Sequence, residues 1–396
     1  MISPPWDTKL YGGGMDGDLD MLKRRNPIPA LDNNFRFDDS IDPATGQRRH
    51  DYWIVDKDGE RKYKGSCTGL IAEYKRKFNA AAAYAGMRRN GRIADKNDEY
   101  YGMSLDDCIK QWDDTREAAS AAGTLVHAEI EKFYNNCADW LHDPLWRTNP
   151  ETAPSLKRFM KFHLDVVLKE QFVPLRTEQN LFLEPYELSG QADMLFQRRE
   201  WLDDPIKCMW VIIADWKRSK KNLGQQVPYK GEKMLGCCSE LDAVSFSEYR
   251  IQMSLYATIL QARTSYIVKE LYVGAFHEVN DAYLWLRAEP VYHIVDKMLV
   301  ERRQKMIARY IRELETSYAS AKQPCADLPA IIEAQYLAVR SLRGLLKQQM
   351  VFGASDAAIL DTAHKSVAVP VDLDGGVALK KHTQGKKNKH QADNDE

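Results

Sequence analysis

The chain has 396 residues, 44% hydrophobic and 29% charged, which excludes a fibrous, low-complexity or largely disordered protein and suffices for one large core or two modest ones. A formal net charge of -1 leaves no whole-molecule positive field, so affinity for nucleic acid must come from local patches. No apolar stretch spans a bilayer, the start with Asp7, Asp16, Asp18 and Asp20 is unlike a secretory or Arg-rich transit peptide, and seven scattered cysteines read as reduced thiols, so a soluble intracellular protein is expected.

Residues 1–48, rich in Gly, Pro, Asp and Asn, predict an irregular N-terminal arm. Tyr52 to Val55 and Arg61 to Lys64 flank Asp58-Gly59 as a hairpin. Ser66-Cys67-Thr68 then precedes a helix expected over 69–78, where Thr68 serves either as a cap or as a substrate contact. A second helix is expected over 79–92, its alanines fitted to close packing. Ser104-Leu105-Asp106-Asp107 has the form of a capping box and opens a long helix over 105–134, with His127, Ile130, Glu131 and Tyr134 on one face. Pro154 begins a helix running to 170.

Strands are expected over 175–183 and 188–196, joined at Glu184-Pro185-Tyr186. In the second, Ser189-Gly190-Gln191-Ala192-Asp193 puts a carboxylate against Met194-Leu195-Phe196, a costly place unless a cation or donors meet it. The apolar run 208–214 reads as a strand covered on both faces, because it does not alternate. It ends in Asp215-Trp216-Lys217, and residues two apart on a strand share a face. Asp215 and Lys217 therefore form either a surface ion pair or a metal-assisted hydrolytic pair. Arg218, Lys220, Lys221, Lys230 and Lys233 follow, with only Glu232 opposing them, as a cationic loop fitted to a phosphodiester backbone.

A helix over 248–263 puts Gln252 and Tyr256 on one face, either as interior groups or as groups that shape a site. Strands over 266–276 and 282–286 close the sheet, and helices follow over 291–317 and 326–350. From Gly375 the lysine-rich sequence has the composition of a disordered tail.

Four pieces in this order, Gly123-Thr124-Leu125-Val126-His127, Gly190-x-x-Asp193, Asp215-Trp216-Lys217 and Gln252-x-x-x-Tyr256, resemble the RecB-type branch of the PD-(D/E)XK nuclease superfamily. Asp-Trp-Lys followed by Arg218 and Ser219 is most similar to mitochondrial genome maintenance exonuclease and its phage and large-virus relatives. The resemblance covers about 104–300, and Ser66-Cys67-Thr68 extends it towards residue 50. It implies an α/β fold: a restriction-endonuclease-like core with a central mixed sheet flanked by helices, and helical additions at both ends. The domains then read as an arm over 1–48, hairpin and helices over 49–103, nuclease core over 104–320, helical extension over 321–374 and tail over 375–396.

The resemblance further implies Mg2+ or Mn2+ held by His127, Asp193, Asp215 and the backbone carbonyl of Trp216, with Lys217 positioning water. Gln252 and Tyr256 would orient substrate or shape the site, and Glu178, matching a glutamate found before Gly-x-x-Asp in that branch, would join them at the site or touch it through water or a second metal; as a residue it reads equally as an exposed strand carboxylate. DNA is the expected partner, with no membrane. Some RecB-type nucleases carry an iron-sulfur cluster, but Cys237-Cys238 are adjacent and only Cys325 lies downstream, so none is expected. The expected activity is exonucleolytic hydrolysis from single-stranded ends in replication, recombination or repair. Trp112, Tyr134 and Trp216 are aromatics that could stack on bases or, as most aromatics do, belong to the core. The alternatives are a structure-specific endonuclease and a nucleic-acid-binding or assembly protein that keeps the fold without the chemistry.

Overall fold

The computed structural model describes residues 19–320 apart from 34, 39, 41–50, 57–58, 63–64 and 136. The tail and the helix expected over 326–350 lie outside the described residues. In chain order the elements are α1 (Met21–Arg25), α2 (Pro29–Asp32), β1 (Phe35–Asp38), β2 (Asp51–Asp56), β3 (Gly59–Lys62), α3 (Cys67–Ala72), α4 (Ala80–Arg89) and α5 (Leu105–Asn135). There follow α6 (Cys137–His142), α7 (Leu145–Thr148), α8 (Ala153–Phe162), β4 (Phe172–Leu183), β5 (Leu188–Arg198), β6 (Trp210–Lys217), α9 (Ser245–Arg263), β7 (Ile267–Ala275), β8 (Leu284–Arg287) and α10 (Tyr292–Ser320). The chain divides into two compact units, Met1–Met306 and Ile307–Glu396, and the described part of the second is helical, 307–320.

A five-stranded mixed sheet, β4-β5-β6-β7-β8, makes the first unit an α/β fold with helices on both faces. Every pairing is antiparallel except β6 with β7, which are parallel and joined through α9, the crossover that parallel strands require. β1, β2 and β3 form a separate antiparallel sheet that contains the expected hairpin.

β6 shows why its sequence does not alternate. Val211 and Ile213 enter a core shared with α3 and α9, whereas Ile212, Ala214 and Trp216 enter a second, aromatic core under α5 and α8. In that second core the Trp216 ring meets Phe162 at 5.8 Å, Phe276 at 5.7 Å and Phe196 at 6.3 Å, each such pair contributing about 1 kcal/mol beyond its buried area. This packing clamps the strand end that carries Asp215 and Lys217. It also corrects an expectation: Trp216 and Tyr134 are fully buried and unavailable to bases.

Local signals set several boundaries. Ser104 and Asp107 cap α5 reciprocally: Ser104 Oγ accepts from the Asp107 amide at 3.2 Å, and Asp107 Oδ2 accepts from the Ser104 amide at 3.1 Å. Asn79 caps α4, accepting from the Ala82 amide. Ser66, not Thr68, caps α3, which starts at Cys67 and ends well before the expected residue 78. The stretch expected to be irregular carries two short helices, α1 and α2, whose Leu22, Ile28 and Leu31 are buried in the two cores. Helices of five and four residues have too few turns to show a period. Among the described residues no helix is long and apolar enough to cross a membrane.

Candidate metal centre and cleft

A cleft of about 580 Å³ opens where α5, β4, β5, α9 and the start of α3 meet. The capping box starts α5 on a schedule that brings Ser120, Gly123, Thr124, His127 and Glu131 to the cleft on one helical face. β4 contributes Glu178, β5 contributes Asp193, and α9 contributes Gln252 and Tyr256.

Each of His127, Glu178 and Asp193 offers a ligand atom, and these atoms lie within 4.8 Å of one another. His127 Nδ1 is 3.5 Å from Asp193 Oδ2, the oxygen that also accepts from the Trp216 amide at 2.5 Å. That bond ties the carboxylate to β6, beside Asp215. Along β5 the inward side changes core at this point: Leu188 and Ala192 face the α9 side, Met194 and Phe196 the aromatic side, with Asp193 between. Across the ladder, Thr177 pairs with Met194 and Gln179 with Ala192, while Glu178 sits at φ 44°. A non-glycine in the left-handed region costs on the order of 1–3 kcal/mol and is held only where surroundings compel it. Here it turns a strand carboxylate into the cleft.

Asp215 is buried and ion-paired with Lys217, as two same-face residues at a strand end should be. Lys217 keeps partial exposure, 19%, and its ammonium lies 4.9 Å from the centre of the Tyr249 ring. Burial, then the neighbouring Asp193, push the Asp215 carboxyl up to about 7, with Lys217 pulling the other way. Glu178 is raised well above the usual carboxylate range by burial and by Asp193, Glu131 and Asp215. Burial works against the Lys217 charge, yet Asp215 and Asp193 outweigh it and hold the ammonium above the ordinary lysine range. A cluster of carboxylates that resist ionisation together is a cluster that a cation completes.

The expected residues thus separate into groups. His127 and Asp193 are together, and Glu178 joins them as a potential ligand. Asp215 and Lys217 pair immediately beside them. Trp216 enters through its amide N–H, which fixes Asp193. Gln252 and Tyr256 adjoin in the cleft wall, Gln252 Nε2 donating to Tyr256 Oη at 2.7 Å. Burial, with charge from Cys67, Asp215 and Asp193 behind it, raises the Tyr256 phenol well above its ordinary value, so it stays protonated.

The cationic loop is less uniform than its composition. Arg218 is ion-paired with Glu278 at 2.7 Å and Lys233 with Asp242 at 2.7 Å. Lys220 and Lys221 are exposed and carry no ion pair among the described residues. Sequence reasoning gave no role to Glu131 or Tyr249, although Glu131 lies one helical turn after His127 and Tyr249 one turn before Gln252, spacings that mark both.

Gly190 is required by close approach. A Cβ there would stand 2.5 Å from Tyr256 Cε1 and 3.3 Å from Cys67 Sγ, so Gly190→Ala must displace the Tyr256 ring. The expected result is a loss of about 1–3 kcal/mol in denaturant unfolding. A variant as stable as wild type would show that the ring moves freely.

Neither a protein-family model nor a curated protein matches this chain.

Proposed function

We propose that the protein is a metal-dependent deoxyribonuclease with a PD-(D/E)XK core, hydrolysing phosphodiester bonds from single-stranded DNA ends in replication, recombination or repair. The observation that carries this reading is the convergence of His127, Glu178 and Asp193 within 4.8 Å, beside the Asp215–Lys217 pair. Two adjacent strands supply two acids and a lysine, and a parallel pairing through α9 follows; this agrees with the mixed sheet that the resemblance implies and supports the reading.

The donor set fits a hard divalent cation: carboxylate oxygens with one imidazole suit Mg2+ or Mn2+, and the raised carboxyls of Glu178 and Asp215 want positive charge. His127, Glu178 and Asp193 would hold it, with Asp215 adjoining; the Trp216 carbonyl is the further donor that the resemblance implies. Such an ion, when bound, polarises a phosphoryl oxygen and acidifies a water. Lys217, steadied by Asp215, offers its ammonium to the attacking water and to charge growing on the phosphate. Gln252 and Tyr256 shape the wall against which substrate lies. Lys220 and Lys221 hold the backbone, so that binding weakens with salt.

The test is degradation of end-labelled linear and of circular single-stranded DNA with Mg2+, Mn2+ or EDTA. The linear strand should disappear only with cation and the circle should survive, and Lys217→Ala should lose on the order of 10²–10³-fold in rate. Cut circles would replace the exonuclease by an endonuclease. DNA bound but uncut would replace catalysis by a binding role.

A further inference from the structure

The segment 74–94 contains Lys75, Arg76, Lys77, Arg88, Arg89 and Arg92 and not one acidic residue, within a chain of net charge -1. Within it Phe78 is 73% exposed, the most exposed aromatic side chain among the described residues. Phe78 is not loose: its ring meets Trp112 of α5 edge-on at 5.4 Å. Trp112 is fixed from below, its Nε1 donating to Tyr100 Oη at 3.1 Å, and Tyr100 in turn lies 4.8 Å under the Arg92 guanidinium. Arg92 is anchored to Asp98 at 2.7 Å. Arg76, Lys77, Arg88 and Arg89 are exposed and carry no ion pair among the described residues, and α4 has no buried residue at all. A preordered aromatic set thus lies in the same stretch of chain as four cations without an ion pair among the described residues, while Trp112 is followed by Asp113, which pairs with Arg116 at 3.1 Å, and by Asp114.

The set is also aligned with the cleft. Trp112, Arg116, Ser120, Gly123 and His127 recur at intervals of three and four along α5, which is one helical face. The fifteen residues from Trp112 to His127 span about 22 Å at 1.5 Å each, the length of roughly six nucleotides at 3.4 Å. Unpaired bases stack on aromatic rings, while bases inside a duplex hide their faces, and uncommitted arginines and lysines meet the phosphates.

We propose that the junction of α4 and α5, centred on Phe78, Trp112, Arg88 and Arg89, is a platform for single-stranded DNA, holding nucleotides about 22 Å from the cleft along the α5 face. The platform deepens the nuclease reading and takes its choice of ligand from it. Substrate is then gripped at two points, which makes affinity depend on strand length.

Fluorescence anisotropy of the full chain in EDTA separates binding from cleavage. The probes are an oligothymidylate of about 4 nucleotides, one of about 20, and a duplex of about 20 base pairs. The longer single strand should bind the wild type tightest. Phe78→Ala should weaken that strand roughly 5- to 10-fold and leave the short one unchanged. Arg88→Ala with Arg89→Ala should reduce the slope of log affinity against log salt by about 1.4, that is 0.7 for each lost contact. Both variants alter exposed side chains, and unchanged melting temperatures verify their folds. Wild-type affinity in both variants, or equal weakening of duplex and single strand by Phe78→Ala, overturns the platform. Should the cleavage test fail while this length dependence holds, the nuclease reading falls and the platform stands; cleavage without length dependence removes the platform alone.

Discussion

Asp193→Asn is expected to abolish metal-dependent cleavage, by at least about 10³-fold, while leaving the cation-free fold at least as stable at pH 8. The amide keeps an oxygen for the Trp216 N–H, so the tie between β5 and β6 survives. It removes the charge that helps to raise both Asp215 and Glu178. The pH dependence follows in sign. A carboxyl whose folded pKa exceeds its unfolded value contributes stability in full below about pH 4, and loses it as pH rises through the folded value, about 7 for Asp215. The cation-free wild type should therefore lose stability across that window, and Asp193→Asn should lose less. Divalent cation at a hundred times its Kd restores about 2.7 kcal/mol, or about 5 °C for a chain of this size, at pH 8, and far less at pH 5, where protons occupy Asp215 and Glu178. Thermal melting across pH, with and without Mn2+, reads all of this. A variant that keeps the full cation shift would remove Asp193 from the metal centre.

Arg176→Ala should produce the largest loss of stability, about 3–5 kcal/mol and a melting temperature lower by about 6–10 °C. Arg176 is 3% exposed, and its guanidinium forks onto Asp32 at 2.9 and 2.8 Å while also donating to the Asn26 carbonyl at 3.2 Å. Burial alone would raise the Asp32 carboxyl, but the Arg176 hydrogen bonds and the Ile28 amide outweigh it and hold the group below its usual range. Without the arginine, a partly buried carboxylate has no counter-charge and α1 and α2 lose their pin on β4. Trypsin should then cut at Lys23, Arg24 or Arg25 faster than in the wild type. A melting temperature within about 2 °C of wild type would mean that the apolar anchors Leu22, Ile28 and Leu31 suffice.

Much of the core could be read from the chain alone, wherever a local rule governed the outcome. The capping box set the start of α5, unbroken apolarity marked β6 as covered on both faces, and the spacing of Asp215 and Lys217 put them on one side of the strand. In the capping box and the Asp215–Lys217 pair the deciding residues lie within four positions of one another, and the apolar run spans seven residues, distances over which helix and strand periods act. The contact of Phe78 with Trp112 joins residues 34 positions apart and could not be read from the chain.

Sequence by itself determined the strands of the main sheet and its long helices, the face shared by His127 and Glu131, and the presence of two acids and a lysine on two strands, whose pairing was set by the fold. Tertiary structure alone decided that Glu178 joins His127 and Asp193, because its side chain follows a left-handed backbone at φ 44° and a register set by pairing with a different strand. It alone decided which cations are uncommitted, since Glu278 neutralises Arg218 from 60 positions away. It also turned an apparently irregular start into part of the core, through an Arg176–Asp32 bond between residues 144 apart. Contacts over such separations depend on how whole faces pack, and no period within the chain encodes them.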